Sequence, residues 1–370
     1  MLNRPLADLS LAFVMDLLEF ISAGDTRSRD TTPPLPTGCP RLPEDAVFGN
    51  KECAKCGQSD STLSCDLCKV TDVGQLQVFH CSEACQKAHW PDHEAICQAR
   101  KTLGRSVSMF SDIWTAFETA TFACSTAFVD EKLGVITIRT KDDMPNRRNW
   151  TGESLIRRFP DDLFPDAASD ATKQAFLFDN TCAEPLILGK PLHELFLGPA
   201  CQKVQVGEVD VKNPAIVVHL RGTPYYTHHS VFEVTLVTGE VYAVDLTGAQ
   251  YGFQEKLYEW KTYDTHRAEP GSEISTLDDA EESERVVHML AGLSIHGRAM
   301  AVKNLRETVM RDLRRSIDGY VRSKKATIKD MMLLPDSEFR VARQQLVTHA
   351  KTSLQNAVER LAHMTIIARD

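Results

Sequence analysis

The chain lacks an apolar stretch suited to spanning a bilayer or to acting as a secretory leader. The nearest approach, Leu6–Ile21, carries Asp8, Asp16 and Glu19 at helical spacing and has no cluster of basic residues ahead of it. It reads as an amphipathic helix over 1–24, with no membrane partner expected. Positive charge is also short: 42 Lys and Arg stand against 51 Asp and Glu, a formal net charge of −9. That balance opposes non-specific binding to phosphates, so no nucleic-acid partner is expected. Cysteine is too sparse for a disulfide-stapled scaffold, at 11 in 370 residues. Reduced thiols and an intracellular setting, nucleus or cytoplasm, follow as the expectation.

What cysteine there is, is concentrated. Cys53-x2-Cys56, Cys65-x2-Cys68, Cys81-x3-Cys85 and His93-x3-Cys97 bring seven thiols and one imidazole into residues 53–97. Zinc favours tetrahedral sulfur and nitrogen, and a structural site is closed by four protein ligands. Eight donors fill two such sites with none over. Short Cys-x2-Cys loops let both thiolates reach one ion, and residues four apart on a helix share a face. Spacing alone leaves open how the four pairs divide between two ions. It also leaves His89 as a competitor to His93, since each is four residues from a cysteine or from the other. Pro91 favours a helix ending near Trp90 and a second beginning at Pro91, which places His93 and Cys97 together. His80, beside Cys81, reads as a hydrogen-bonding neighbour.

The run Cys81-Ser-Glu-Ala-Cys85-Gln-Lys-Ala-His89-Trp90-Pro-Asp-His93-Glu-Ala-Ile-Cys97 resembles a MYND-type zinc finger. The resemblance covers about residues 51–100. It implies interleaved ligation, with Cys53, Cys56, Cys81 and Cys85 on one zinc and Cys65, Cys68, His93 and Cys97 on the other: two Zn2+ per chain. It implies too that Gln86 and Trp90 line a groove for short proline-rich peptides. Tryptophan offers an apolar face to a proline ring, and extended proline segments lose little entropy on docking. The segment Lys69–His80 is longer than the family's usual link and reads as a small apolar hairpin. Both sites are fully ligated, which leaves no open position for metal-assisted catalysis. MYND fingers also occur within SET-domain methyltransferases, but the chain has no Asn-His pair and only about fifty residues ahead of the finger. A zinc-binding adaptor or regulatory protein with proline-rich partners is the expectation.

The expected fold is α+β: a small cross-braced two-zinc finger, an α+β domain and a C-terminal helical bundle. The boundaries read as a Pro-rich linker over 25–50, the finger over 51–100, the α+β domain over 101–270, an acidic linker over 271–283 and helices over 284–370. The linker holds Pro33-Pro34-Leu35-Pro36 and Pro40-Arg41-Leu42-Pro43. A helix over Ser111–Phe128 and strands at Leu133–Ile138 and Ala215–Leu220 are expected. Val231–Val237 and Glu240–Leu246 suit a hairpin turning at Thr238-Gly239. Apolar stripes at Val302, Leu305, Val309, Leu313, Ile317 and Tyr320, and at Phe339, Ala342, Leu346, Ala350, Leu354, Val358 and Leu361, mark two helices. A basic cluster from Arg311 to Lys329 reads as a solvated helix face.

The alternative function is a thiol hydrolase or acyl transferase. His229 on one strand and Asp245 on the next are similar to the way papain-like and transglutaminase-like folds orient a catalytic base. A cysteine opening a helix upstream would complete the set. Cys182 and Cys124 are available, but Glu184-Pro185 follows the first and an apolar run surrounds the second. No residue is assigned a catalytic role on sequence grounds, and the enzyme question leans to no.

Overall fold

The structure is a computed structural model that describes residues 51–65, 78–123, 126–140, 155–164, 168–220, 227–278 and 297–361. The 1–24 helix, the 25–50 linker, Cys68, Cys39, Cys124 and most of the hairpin after Lys69 lie outside them. The elements in chain order are β1 (Leu63–Ser64), β2 (Phe79–His80), α1 (Glu83–Ala120), β3 (Thr126–Lys132), β4 (Val135–Thr140), α2 (Asp170–Leu177), α3 (Glu184–Ile187), α4 (Lys190–Phe196), β5 (Lys203–Asp210), β6 (Val217–Leu220), β7 (His228–Thr235), β8 (Val241–Val244), β9 (Leu257–Glu259), α5 (Trp260–Arg267), β10 (Glu273–Ser275), α6 (Gly297–Ser323), α7 (Ile328–Leu333) and α8 (Asp336–Leu361). The architecture is α+β, as expected.

One helix organises everything else. Ser82 caps α1, its side chain accepting from the Cys85 N–H, and the helix then runs 38 residues without a break. The expected division at Trp90 and Pro91 does not occur, and neither does a separate start at Ser111. Pro91 leaves the Lys87 carbonyl without its helical donor, a cost of about 3 kcal/mol. Deep packing downstream sustains the helix through it: Leu103, Val107, Phe110, Ile113, Trp114 and Phe117 are all fully buried. Polar residues of this stretch are enclosed as well. The Ser106 hydroxyl donates to the Phe196 carbonyl on α4 at 2.6 Å. Arg105 donates to the carbonyls of Met332 and Leu334 at 2.5 and 2.6 Å and pairs with Asp336.

A five-stranded antiparallel sheet ordered β10-β5-β7-β8-β9 packs against this helix, beside a smaller sheet β3-β4-β6 in which β4 and β6 run parallel. The β7–β8 hairpin pairs Phe232 with Val244 and Thr235 with Val241. Its turn contains Gly239 at φ 88°, a left-handed conformation that glycine adopts freely. Arg100 on α1 donates its Nε to Glu240 in that turn at 3.0 Å, tying the hairpin tip to the helix.

At the C-terminus, α6 and α8 pack on each other and α8 on α1. Leu305, Val309, Leu313 and Ile317 face Phe339, Leu346, Ala350 and Leu354 within the core. Arg306 ties α6 inward, reaching Glu118 on α1 at 2.7 Å and Glu184 on α3 at 2.8 Å. No helix among the described residues is long and apolar enough to cross a membrane.

Candidate functional site

Two short strands and the start of α1 assemble the cysteines. β1 pairs with β2 in antiparallel register, Ser64 opposite Phe79 and Leu63 opposite His80. This sets Cys65 just beyond one strand and Cys81 just beyond the other. The Cys53 loop closes on itself, the Gly57 N–H meeting the Cys53 carbonyl, and is held to the β2 strand by the Ala54 N–H on the Phe79 carbonyl.

The first group is Cys53, Cys56, Cys81 and Cys85, with all four sulfurs within 4.8 Å of one another. Sulfur pairs stand 3.6 Å apart for Cys56 and Cys81, 3.5 Å for Cys81 and Cys85, and 3.9 Å for Cys85 and Cys56. Thiolates about 2.3 Å from a central zinc would occupy tetrahedral corners roughly 3.8 Å apart. A disulfide needs about 2.05 Å. The spacing therefore fits a shared cation and not oxidised pairs. The second group is Cys65, His93 and Cys97, all buried, with the two sulfurs 3.8 Å apart. The interleaving implied by the resemblance is the one the fold produces, with Cys68 outside the described residues.

Crowded thiols titrate unequally without a cation. Burial works to raise Cys53, but backbone N–H groups at Cys81, Cys56 and Lys55 outweigh it and bring the thiol to about 6. Hydrogen bonds with Cys85 and Cys56 push Cys81 up to about 12. A divalent cation at the centre removes this conflict by favouring the thiolate at every corner.

The histidines separate by partner. His93 joins Cys65 and Cys97. His89 instead turns its Nδ1 to His80 Nε2 at 3.0 Å and stacks on the His93 ring with centroids 5.2 Å apart. Gln86 and Trp90 sit four residues apart on α1, both half-buried. The inner face of Trp90 packs on Cys65, Cys97 and Val78, with its ring edge-on to His93 at 6.2 Å. Part of the indole stays open to solvent beside Gln86.

A second constellation forms far from the finger in sequence. His229 on β7 and Asp245 just past β8 meet at 3.0 Å, Nε2 to Oδ1. Cys182 hydrogen-bonds the same imidazole. It lies immediately before Ala183, the residue that caps α3, and Pro185 stands in that helix's first turn. Glu184-Pro185 thus opens a short helical turn directly after Cys182.

The finger region has a counterpart among known families: residues 53–97 match the family model of the MYND finger. No curated protein and no solved structure matches the chain. Residues 53–97 are a MYND finger, a zinc-binding protein-interaction domain, with two groups of ligand residues placed to hold metal.

Proposed function

We propose that the finger holds two Zn2+ ions and docks short proline-rich segments of other proteins, so that the chain serves as an adaptor or regulatory protein in the nucleus or cytoplasm. The observation that carries this reading is the pairing of the Cys65, His93 and Cys97 ligand group with a half-buried Trp90 packed on it. Metal supplies the folding free energy, on the order of 10 kcal/mol or more per structural zinc. The indole is thereby fixed rather than free to collapse inward. A fixed aromatic beside an amide side chain suits a proline ring and a peptide carbonyl. Cysteines gathered as metal ligands rather than paired are the usage of a reducing, intracellular compartment.

The test is fluorescence anisotropy with labelled proline-rich peptides, one of them spanning 31–43 of this chain. Trp90→Ala and Gln86→Ala should each weaken binding about tenfold or more, the scale of one lost aromatic or polar anchor. Zinc content measured on the same samples distinguishes lost contact from lost metal, since Trp90 also covers the second group. Unaltered affinity in both variants, with zinc retained, would sink the reading.

A further inference from the structure

His229 and Asp245 are almost completely enclosed, yet their pairing is elaborate for a purely structural contact. Asp245 takes the His229 Nε2 at 3.0 Å, the Thr247 N–H at 3.2 Å and the Tyr263 hydroxyl at 3.1 Å. Gly248 leaves the carboxylate room: a Cβ there would fall 2.3 Å from Asp245 Oδ2. With Nε2 committed to Asp245, the opposite nitrogen, Nδ1, faces both Cys182 and the Gln250 amide. The Gln250 amide nitrogen stands 3.3 Å from Nδ1, and its Oε1 accepts the Asn180 N–H at 3.3 Å, which fixes the amide's orientation. Cys182 is the outermost member, only partly covered. An enclosed carboxylate, an imidazole oriented by it, a thiol on the imidazole's far side in a partly covered residue and an amide donor beside that imidazole are the parts of a nucleophilic acyl-transfer site.

We infer that Cys182, His229 and Asp245 form a thiol acyl-transfer centre acting on carboxamides, with Gln250 donating to the oxyanion and Asp245 as the positioning residue.

The electrostatics agree. Burial alone would raise the Cys182 thiol, but the hydrogen bond and charge of His229, with backbone amides at Ser230 and Ala183, bring it below its usual value. Burial alone would lower His229, but the Asp245 charge and hydrogen bond, and the Cys182 contact, raise it to about 10. Both shifts favour passing the thiol proton to the imidazole. Tyr251 packs edge-on to the imidazole, its centroid 5.1 Å away. Burial keeps Tyr263 and Tyr258 protonated well above the ordinary phenol range, and it lowers the Lys256 ammonium.

The step balances without any redox partner. The Cys182 sulfur attacks the carbonyl carbon, a C–S bond forms, and the C=O π pair moves to oxygen, where the Gln250 N–H can donate to it. Collapse re-forms the carbonyl and breaks C–N, and the amine leaves with the proton from His229 Nδ1. That proton is why an amide is the fitting substrate class, since nitrogen leaves only when protonated. Water then attacks the thioester, its proton passing to His229. The C–S bond breaks, and the products are a carboxylic acid and the restored Cys182–His229 pair.

The test uses the full-length, zinc-loaded chain. Iodoacetamide labelling from pH 5 to 9, resolved by peptide mass spectrometry, should give Cys182 an inflection below the roughly 8.5 of a free thiol. Cys201, which burial pushes up to about 12, serves as the slow reference in the same digest. p-Nitrophenyl acetate should release a burst of one nitrophenolate per chain and leave its acetyl group on Cys182. His229→Gln strands the Asp245 carboxylate and can unfold the domain, so Gln250→Ala is the second variant. It should slow acetylation about 100-fold, the cost of one oxyanion donor, with the Cys182 alkylation inflection still below that of a free thiol. An inflection at or above that of a free thiol, or no acetyl on Cys182 in the unmodified chain, overturns the proposal. Unchanged acetylation in Gln250→Ala overturns the role given to Gln250.

Discussion

Gly248→Ala isolates the geometry on which the thiol centre rests. The new methyl carbon would stand 2.3 Å from Asp245 Oδ2 and 2.8 Å from its Cγ, so the carboxylate must retreat by most of an ångström. The bonds it now makes to His229, Tyr263 and Thr247 span 3.0–3.2 Å, and at least one of them would pass out of range. Overpacking of this kind costs about 1–3 kcal/mol. Losing a hydrogen bond to a buried charge costs about 1.5–3 kcal/mol more. The expected loss is therefore about 3–5 kcal/mol, a large share of the roughly 5–15 kcal/mol available to a typical domain. Urea denaturation should show a lower midpoint at unchanged slope. Iodoacetamide kinetics should show the Cys182 inflection moving up toward that of a free thiol, because a displaced Asp245 no longer raises His229. Tyr263→Phe deletes one of the same bonds without adding bulk and should shift both readouts in the same direction by less. A Gly248→Ala protein with native stability and an unaltered Cys182 profile would refute the reasoning.

The Cys182–His229 pair sets a pH signature. Raised to about 10, His229 contributes stability fully present below about 6.5 and lost as pH rises through 10, whereas the lowered thiol contributes above about 8.5 and loses that contribution as pH falls. Unfolding free energy should fall by about 1.4 kcal/mol per pH unit from about 8.5 toward 10. A rise in urea midpoint between pH 9 and 10 contradicts this. Pro91→Ala should stabilise α1 by about 1–3 kcal/mol, because it restores an N–H to the Lys87 carbonyl; a destabilised thermal transition argues against the continuous helix. Arg306→Met should cost about 3–5 kcal/mol, since Glu118, which burial pushes well above the ordinary carboxylate range, loses its counter-charge; an unchanged denaturation midpoint refutes the brace. Chelation should release metal and the secondary structure of 51–82 together, while hydrogen-exchange protection persists at Phe110–Phe117; loss of both at once contradicts a metal-independent core.

The ligand set was legible because only a few side chains bind zinc, and their spacing is short and local. The groove role proposed for Gln86 and Trp90 rests on resemblance alone. The hairpin turning at Gly239 and the stripes of α6 and α8 showed in the sequence because period 2 and period 3.6 report one buried face. The middle of α1 did not. Residues 103–111 are buried on every side, so they carry no amphipathic period, and Gly104, Ser106 and Ser108 resemble loop residues. What makes them helical is tertiary: small side chains admit α4, and their hydroxyls bond to Phe196 and Gly104 carbonyls. Pro91 misled for the same reason, since a local preference was outweighed by distant packing. Cys182 was one of two cysteines the sequence offered beside His229 and Asp245; those partners lie 47 and 63 positions further along the chain, and only the folded sheet brings one cysteine to them.

The unbroken α1 also governs how anything held by Trp90 would be presented. At 1.5 Å per residue its 38 residues span about 57 Å, and Arg100 pins that rod to the β7–β8 tip. The finger is therefore no bead on a slack string whose reach depends on linker length. It is a lever with one end embedded in the protein, and a captured peptide would point along a single direction set by that rod.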